Sequence, residues 1–120
     1  MTGDIPRLAR PGVTSDSVDV ELHALIADIE GSSRQPHGRS LHIHQLDGRR
    51  LEAMVYLEPE GARVEWTHGK GDCAVTGPGA AILALLRGEV TEGEPGGEGL
   101  VLYGDRMLID VAPSIFNPRR

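Results

Sequence analysis

Two β-patterned runs lie on either side of Asp47-Gly48 and limit the folds open to this chain. The runs cover residues 40–46 and 50–57, and Asp-Gly is one of the dipeptides that most favour the tight turn of a β-hairpin. The sequence therefore predicts an antiparallel hairpin in the first half of the chain.

Two further strands are predicted after the hairpin. In residues 62–68, Val64, Trp66 and His68 alternate with polar or charged residues, so one face of this strand is expected to be buried. A glycine-rich turn then leads into a short run over residues 73–76. The pattern is typical of an antiparallel meander.

Two helices complete this part of the pattern. The first is predicted to be capped by Asp16 or Ser17 and to end at Gly31, with Asp19 on its polar face. Its apolar residues recur at helical spacing: Val18, Leu22, Leu25, Ile26 and Ile29. The second opens at Gly77-Pro78 and is rich in leucine.

The C-terminal third begins with an acidic, glycine-rich segment over residues 88–99, which we expect to be a mobile loop. Residues 100–103 are a predicted strand, and Gly104-Asp105 is a turn or a helix cap. Residues 107–115 fit a helix and a strand equally well. Pro113 and Pro118 are expected to end the fold.

These elements predict a single α+β domain, with a mainly antiparallel sheet of about five strands and helices packed on one face. We expect residues 1–15 to be a flexible N-terminal tail, residues 16–116 to be the domain and residues 117–120 to be a C-terminal tail. A chain of 120 residues has the size of one ordinary domain.

Charge and cysteine content exclude several classes of function. The formal charge is −6, and the basic residues form no stripe along the chain, which argues against binding to nucleic acid. No apolar run has the length of a signal peptide or membrane span, and Cys73 is the only cysteine. We therefore expect a cytoplasmic protein without disulfides.

Three histidines form a possible polar site. His42 and His44 lie two apart on a predicted strand, which places both imidazoles on one face, and His68 or His37 is the nearest candidate for a further ligand. A His-x-His pair without another ligand at a diagnostic spacing does not define a metal site. We therefore expect no metal and treat His42, His44 and His68 as a polar surface.

The remaining candidates do not combine into a catalytic site. Cys73 is expected to be a buried thiol rather than a nucleophile, and a core position is favoured for Trp66. The carboxylate pairs, Glu52 with Glu65 and Asp105 with Asp110, are explained equally well by caps or a solvated strand face. No nucleophile elbow or phosphate loop is present, so we predict no catalytic residues.

Four short segments resemble the C-terminal domain of the mycothiol-dependent maleylpyruvate isomerase family, which is itself similar to the sterol carrier protein 2 fold. They are IHQLD at 43–47, VEW at 64–66, DCAVTGP at 72–78 running into the leucine-rich helix, and LYGD at 102–105. The resemblance covers about residues 16–115. Many relatives end the leucine-rich helix with Trp-Gly-Arg, whereas this chain has Arg87-Gly88-Glu89.

The resemblance implies a sterol-carrier-protein-2-like domain that holds an apolar small molecule or lipid between its sheet and its leucine-rich helix. Some of six side chains are expected to line that pocket: Val55, Leu57, Val64, Trp66, Ile82 and Leu86. Such a domain would be a non-catalytic binding or accessory domain. The family and the preference for arginine over lysine suggest an actinobacterial source.

Complete enzymes of that family carry a metal-binding helical bundle of the DinB type before this domain. The resemblance therefore implies an alternative function, in which this chain assembles with a separate DinB-type bundle and helps to close a mycothiol site. Mycothiol would then be the only cofactor. A homodimer stays open, as does a small enzyme that uses the histidine face with Arg50 or Arg63 to hold an acidic substrate.

Overall fold

The computed structural model describes residues 15–117, which form three helices and one five-stranded sheet. The predicted tails over 1–15 and 117–120 lie outside this range, apart from Ser15 and Asn117. In chain order the elements are α1 (Ser15–Ala27), β1 (Arg39–Gln45), β2 (Glu52–Leu57), β3 (Arg63–Glu65), β4 (Cys73–Gly77), α2 (Gly79–Leu86), β5 (Val101–Gly104) and α3 (Arg106–Phe116).

The predicted hairpin is confirmed, although its turn is longer than the sequence indicates. β1 and β2 are antiparallel, and His44 lies opposite Glu52. The connecting residues 46–51 include a turn in which the Arg50 N–H donates to the Asp47 carbonyl at 2.9 Å. A two-residue turn at Asp47-Gly48 would instead pair Ile43 with Glu52 and bring a carboxylate to the buried face.

The sheet has the strand order β3-β2-β1-β4-β5. Three of its four pairings are antiparallel, as predicted, but β4 lies parallel to β1. The chain therefore does not continue as a meander after β3. It crosses to the other side of β1, and β5 then adds to β4 as the second edge.

One face of the sheet and all three helices enclose a single hydrophobic core. Alternate residues of the central strands point into it, among them Leu41, Ile43 and Val55. From the helices it includes Leu22, Ile26, Ala81, Ile82, Leu86, Leu108, Ala112 and Ile115. Within residues 15–117 no helix combines the length and the apolar character that crossing a bilayer requires.

Several predicted boundaries differ from those in the structure. α1 begins at Ser15, ahead of the predicted cap at Asp16 or Ser17, and it ends at Ala27 rather than at Gly31. The third strand is limited to three residues, Arg63–Glu65. Residues 88–99 contain no helix or strand, which agrees with the predicted loop.

The last apolar segment is a helix, which settles the open choice for residues 107–115. The Asp105 side chain caps it, accepting hydrogen bonds from the N–H groups of Met107 and Leu108. The prediction that Pro113 ends the fold is wrong, because α3 continues through it. Proline removes one backbone donor, and burial of the apolar face of α3 outweighs that loss.

Candidate functional site

A groove of about 630 Å³ opens at the edge of the sheet where β3 ends. The pairing of β2 with β3 starts at Met54 opposite Glu65, so the first residues of β2 extend beyond the short edge strand. The groove is lined by Asp19, Val20, His23, Ala24, Arg49, Leu51, Glu52 and Trp66. Its volume lies within the range of small-molecule sites, about 300–1,000 Å³.

The apolar wall of the groove is formed by one stripe of α1 and by Trp66. Val20, His23 and Ala24 have the i, i+3, i+4 spacing that places side chains on one face of a helix. The His23 and Trp66 rings stack with centroids 4.2 Å apart and planes 8° apart. Val20 is 60% exposed and Trp66 is 43% exposed, so both present apolar surface to solvent.

The expectation of a core position for Trp66 is therefore wrong. Alternation places Trp66 on the same face as Val64, which is buried. However, β3 ends at Glu65, so the strand geometry on which that inference depends stops one residue before Trp66.

The floor of the groove is polar and buried. Asp19, predicted to lie on the polar face of α1, is only 4% exposed. It accepts hydrogen bonds from Gln45 Nε2 at 2.6 Å and from the Arg49 N–H at 3.1 Å. The Arg49 guanidinium is largely exposed and lies 3.8 Å from Asp16 and 3.9 Å from Asp19.

Five of the six side chains predicted for an apolar pocket lie in the hydrophobic core. Four of them, Val55, Leu57, Ile82 and Leu86, are fully buried, and Val64 is nearly so. Trp66 is the member of the six that lines the groove.

The three predicted polar-site histidines meet around Glu52, and His42 and His44 point away from the core side of β1, which carries Leu41 and Ile43. His42 Nε2 lies 2.7 Å and His68 Nδ1 lies 2.5 Å from the same oxygen, Glu52 Oε2. His44 Nε2 is 3.8 Å from Oε1 of that carboxylate. We call these four residues the histidine–glutamate cluster. His37 is not part of it and forms a hydrogen bond with Ser33 Oγ.

Strand register explains how the cluster forms. Glu52 lies directly across the hairpin from His44, and His42 is its diagonal neighbour on the same face. His68 comes from the segment after β3. Glu52 is not identifiable as the centre of the cluster from the sequence alone, because it joins the histidines only through its pairing with His44.

The cluster shifts the acidity of its carboxyl group. Burial by itself would raise the pKa of Glu52, but hydrogen bonds from His68 and His42 and the nearby charge of His44 lower that pKa from its usual value. Glu52 therefore stays ionised and available as a ligand or hydrogen-bond acceptor.

Cys73 is a core thiol, as predicted. It is almost completely buried in β4. Burial, followed by the negative charges of Asp105 and Asp72, raises the pKa of the Cys73 thiol to about 12. A thiol in this environment is a poor nucleophile.

Comparison with solved structures identifies the fold. A ubiquinone synthesis protein, UbiJ-SCP2, matches with a TM-score of 0.58 and 18% identity, over 86% of this chain and 95% of its own. Sterol carrier protein 2 from Yarrowia lipolytica, in its apo form, matches with a TM-score of 0.55 and 16% identity, over 92% and 94%. The chain has the sterol carrier protein 2 fold.

The likeness to these structures is one of fold, as both identities are below 20%. No protein-family model and no curated protein matches the sequence. The sterol carrier protein 2 part of the predicted resemblance is thus confirmed. The comparisons do not show the link to the maleylpyruvate isomerase C-terminal domain.

Proposed function

We propose that this domain binds an apolar small molecule, such as a lipid with an acyl chain, in the groove between α1 and Trp66. The observation that carries the proposal is the exposed apolar surface of Val20 and Trp66 around a groove of about 630 Å³. Covering such surface with an apolar ligand releases about 25 cal/mol per Å². The likeness in fold to a sterol carrier protein supports the proposal of an apolar ligand.

One residue of the groove, Arg49, favours a ligand with one acidic end. Arg49 lines the groove with a largely exposed guanidinium and only long contacts to acidic partners. A guanidinium of this kind binds a carboxylate or a phosphate in bidentate fashion. The buried Asp19 carboxylate is already paired with Gln45. A fatty acid or a related amphipathic anion fits this arrangement.

Trp66 is the only tryptophan of the chain, so its fluorescence reports on the groove directly. We expect palmitate to shift the Trp66 emission maximum to the blue and to saturate at one molecule per chain, because the acyl chain displaces water from the indole. A titration with palmitate, hexadecanol and a sterol measures this. The absence of a saturable change with all three ligands would contradict the proposal.

A matched pair of variants locates the site. Val20→Asp introduces a charge into the apolar wall on α1 and should weaken palmitate binding at least about tenfold. Val111→Asp makes the same change on α3, where Val111 lines a second, smaller groove of about 400 Å³ with Met107 and Leu108. We expect Val111→Asp to bind normally. The reverse result would place the ligand in the second groove and overturn the proposal.

The alternative function, as a partner of a separate DinB-type bundle in a mycothiol-dependent enzyme, stays a prediction. The same holds for a homodimer. Native mass spectrometry of the protein purified from its own host tests both, because a bound helical-bundle protein, a second copy and a lipid-sized ligand differ in mass. A lipid-sized mass alone would favour the binding function.

A further inference from the structure

We propose that the histidine–glutamate cluster is a binding site for a divalent transition-metal ion of the Zn²⁺ type. The inference does not depend on ligand binding in the groove. Two imidazoles and one carboxylate, from His42, His68 and Glu52, form the kind of ligand set that zinc and its neighbours prefer, with bonds of about 2.0–2.2 Å, and His44 lies beside the same carboxylate as a further imidazole. Calcium and magnesium, which prefer oxygen ligands, do not fit this set.

The ligand atoms already converge. One atom each from His42, Glu52 and His68 lies within 4.8 Å of the other two. In a tetrahedral zinc site, neighbouring ligand atoms are about 3.3 Å apart, as follows from the bond lengths. The two short contacts to Glu52, 2.7 and 2.5 Å, and the longer one from His44, 3.8 Å, bracket that separation. To accept the ion, the two short contacts to Glu52 must widen by about 0.6 and 0.8 Å.

Three residues of the cluster are held rigidly on strands, and the fourth, His68, is accessible to solvent. His42, His44 and Glu52 are fixed on paired strands, and sites built on strands hold ligand geometry better than loops do. The His68 side chain is 78% exposed, so an ion reaches the cluster from solvent. In the metal-free protein imidazole N–H groups donate to Glu52, and binding requires each ligating nitrogen to lose its proton, which a neutral ring does by moving that proton to its other nitrogen.

The site cannot be recognised in the sequence, because His42 and His44 have no further ligand at a diagnostic spacing. The fold supplies them from two distant places, with Glu52 from across the hairpin and His68 from beyond β3. The five histidines also provide an internal comparison, because His23 and His37 lie outside the cluster.

Calorimetric titration of the full chain with Zn²⁺, after removal of the affinity tag and treatment with a chelator, tests the site. We expect one Zn²⁺ per chain with a Kd at or below about 10 µM. Glu52→Gln and His68→Gln should each weaken binding at least about tenfold. His37→Gln, the same substitution at a histidine outside the cluster, should bind like the native protein.

Nuclear magnetic resonance of the imidazole nitrogens identifies the ligands. Zn²⁺ should shift the nitrogens of His42, His44 and His68 and leave those of His23 and His37 in place. His42 is buried, so a variant there risks misfolding. His68 is exposed, so the test uses His68→Gln, and a thermal melt of that variant checks that it is folded. Absence of stoichiometric binding, or an equal loss in His37→Gln, would overturn the proposal. Palmitate binding by a zinc-free protein would leave the proposed function standing.

Discussion

Gln45 donates a hydrogen bond to Asp19 at 2.6 Å, and both side chains are almost completely buried beneath the groove. The Gln45 amide both donates and accepts hydrogen bonds. Its Oε1 accepts from the Leu51 N–H at 3.1 Å, and its Nε2 also donates to Asp47 Oδ1 at 3.2 Å. Asp47 in turn accepts from the Gly79 N–H at 2.8 Å. This network connects α1, the hairpin loop and the start of α2.

Removing the carboxylate of Asp19 tests the network. Asp19→Ala removes the acceptor of one Gln45 amide hydrogen and of the Arg49 N–H, so we expect the free energy of unfolding to fall by about 2 kcal/mol. Asp28→Ala, at an exposed aspartate just after α1, should change it by less than about 0.5 kcal/mol. Urea denaturation followed by circular dichroism measures both. Equal losses would show that the buried network does not stabilise the domain.

A second comparison separates the core from the groove. Leu86→Ala should lower the free energy of unfolding by about 2–5 kcal/mol, because Leu86 is fully buried. Trp66→Ala removes a larger side chain, but it should lower that free energy by less than about 1 kcal/mol and abolish palmitate binding, because Trp66 is 43% exposed. Urea denaturation and calorimetry measure the two effects. If both variants were equally unstable, Trp66 would act as a core residue.

The elements that the sequence predicts correctly are those with strong local signals. The hairpin follows from two alternating runs around Asp47-Gly48, and α2 follows from Gly77-Pro78 and a run of leucines. The parallel pairing of β4 with β1 has no local signal, because it joins strands about 30 residues apart along the chain. Sequence alone gives the number of strands more readily than their order.

The candidate sites show the same limit. The shared face of His42 and His44 follows from the period of a strand, but Glu52 joins them only because the hairpin register is shifted by one residue. Asp19 looks solvent-exposed until its partner Gln45, 26 residues away, is known. Trp66 looks buried until the end of β3 is known. In each case a long-range contact or a strand end decides the position.

Gly48 is predicted to be intolerant of any side chain. Its φ of +56° disfavours other residues, and a Cβ atom there would lie 2.6 Å from Asp19 Oδ1 and 2.9 Å from Gln45 Nε2. We expect Gly48→Ala to lower the free energy of unfolding by about 3 kcal/mol, combining backbone strain with the clash. Gly38→Ala, at φ +81° with open space around it, isolates the backbone part, about 1 kcal/mol. If urea denaturation showed equal losses of stability for Gly48→Ala and Gly38→Ala, the side chains of the buried network would have moved to accommodate the methyl group.

The Cys73 thiol should be unreactive in the native protein. Because its pKa is about 12, the native thiolate fraction at pH 8 is about one in ten thousand. We expect Ellman's reagent to label Cys73 fully in 8 M urea, whereas in native buffer the rate should be lower by at least about a hundredfold. Rapid labelling without denaturant would show that β4 opens easily.

The same thiol predicts a loss of stability in alkali. Burial, together with the charges of Asp105 and Asp72, raises the pKa of Cys73 from 9.0 to about 12. Between these values the unfolded chain releases the thiol proton while the native protein keeps it, so the free energy of unfolding falls as pH rises. The loss approaches about 1.4 kcal/mol per pH unit, and Cys73→Ala removes it.

Urea denaturation at pH 8, 9 and 10 measures how steeply the free energy of unfolding falls with pH in the native protein and in Cys73→Ala. The cavity left by Cys73→Ala lowers stability by a similar amount at each pH, and every other side chain is the same in both proteins. The difference in slope therefore isolates the thiol. We expect the native protein to lose about 1 kcal/mol more than the variant between pH 9 and 10. Parallel slopes would mean that the native thiol ionises as easily as it does in the unfolded chain.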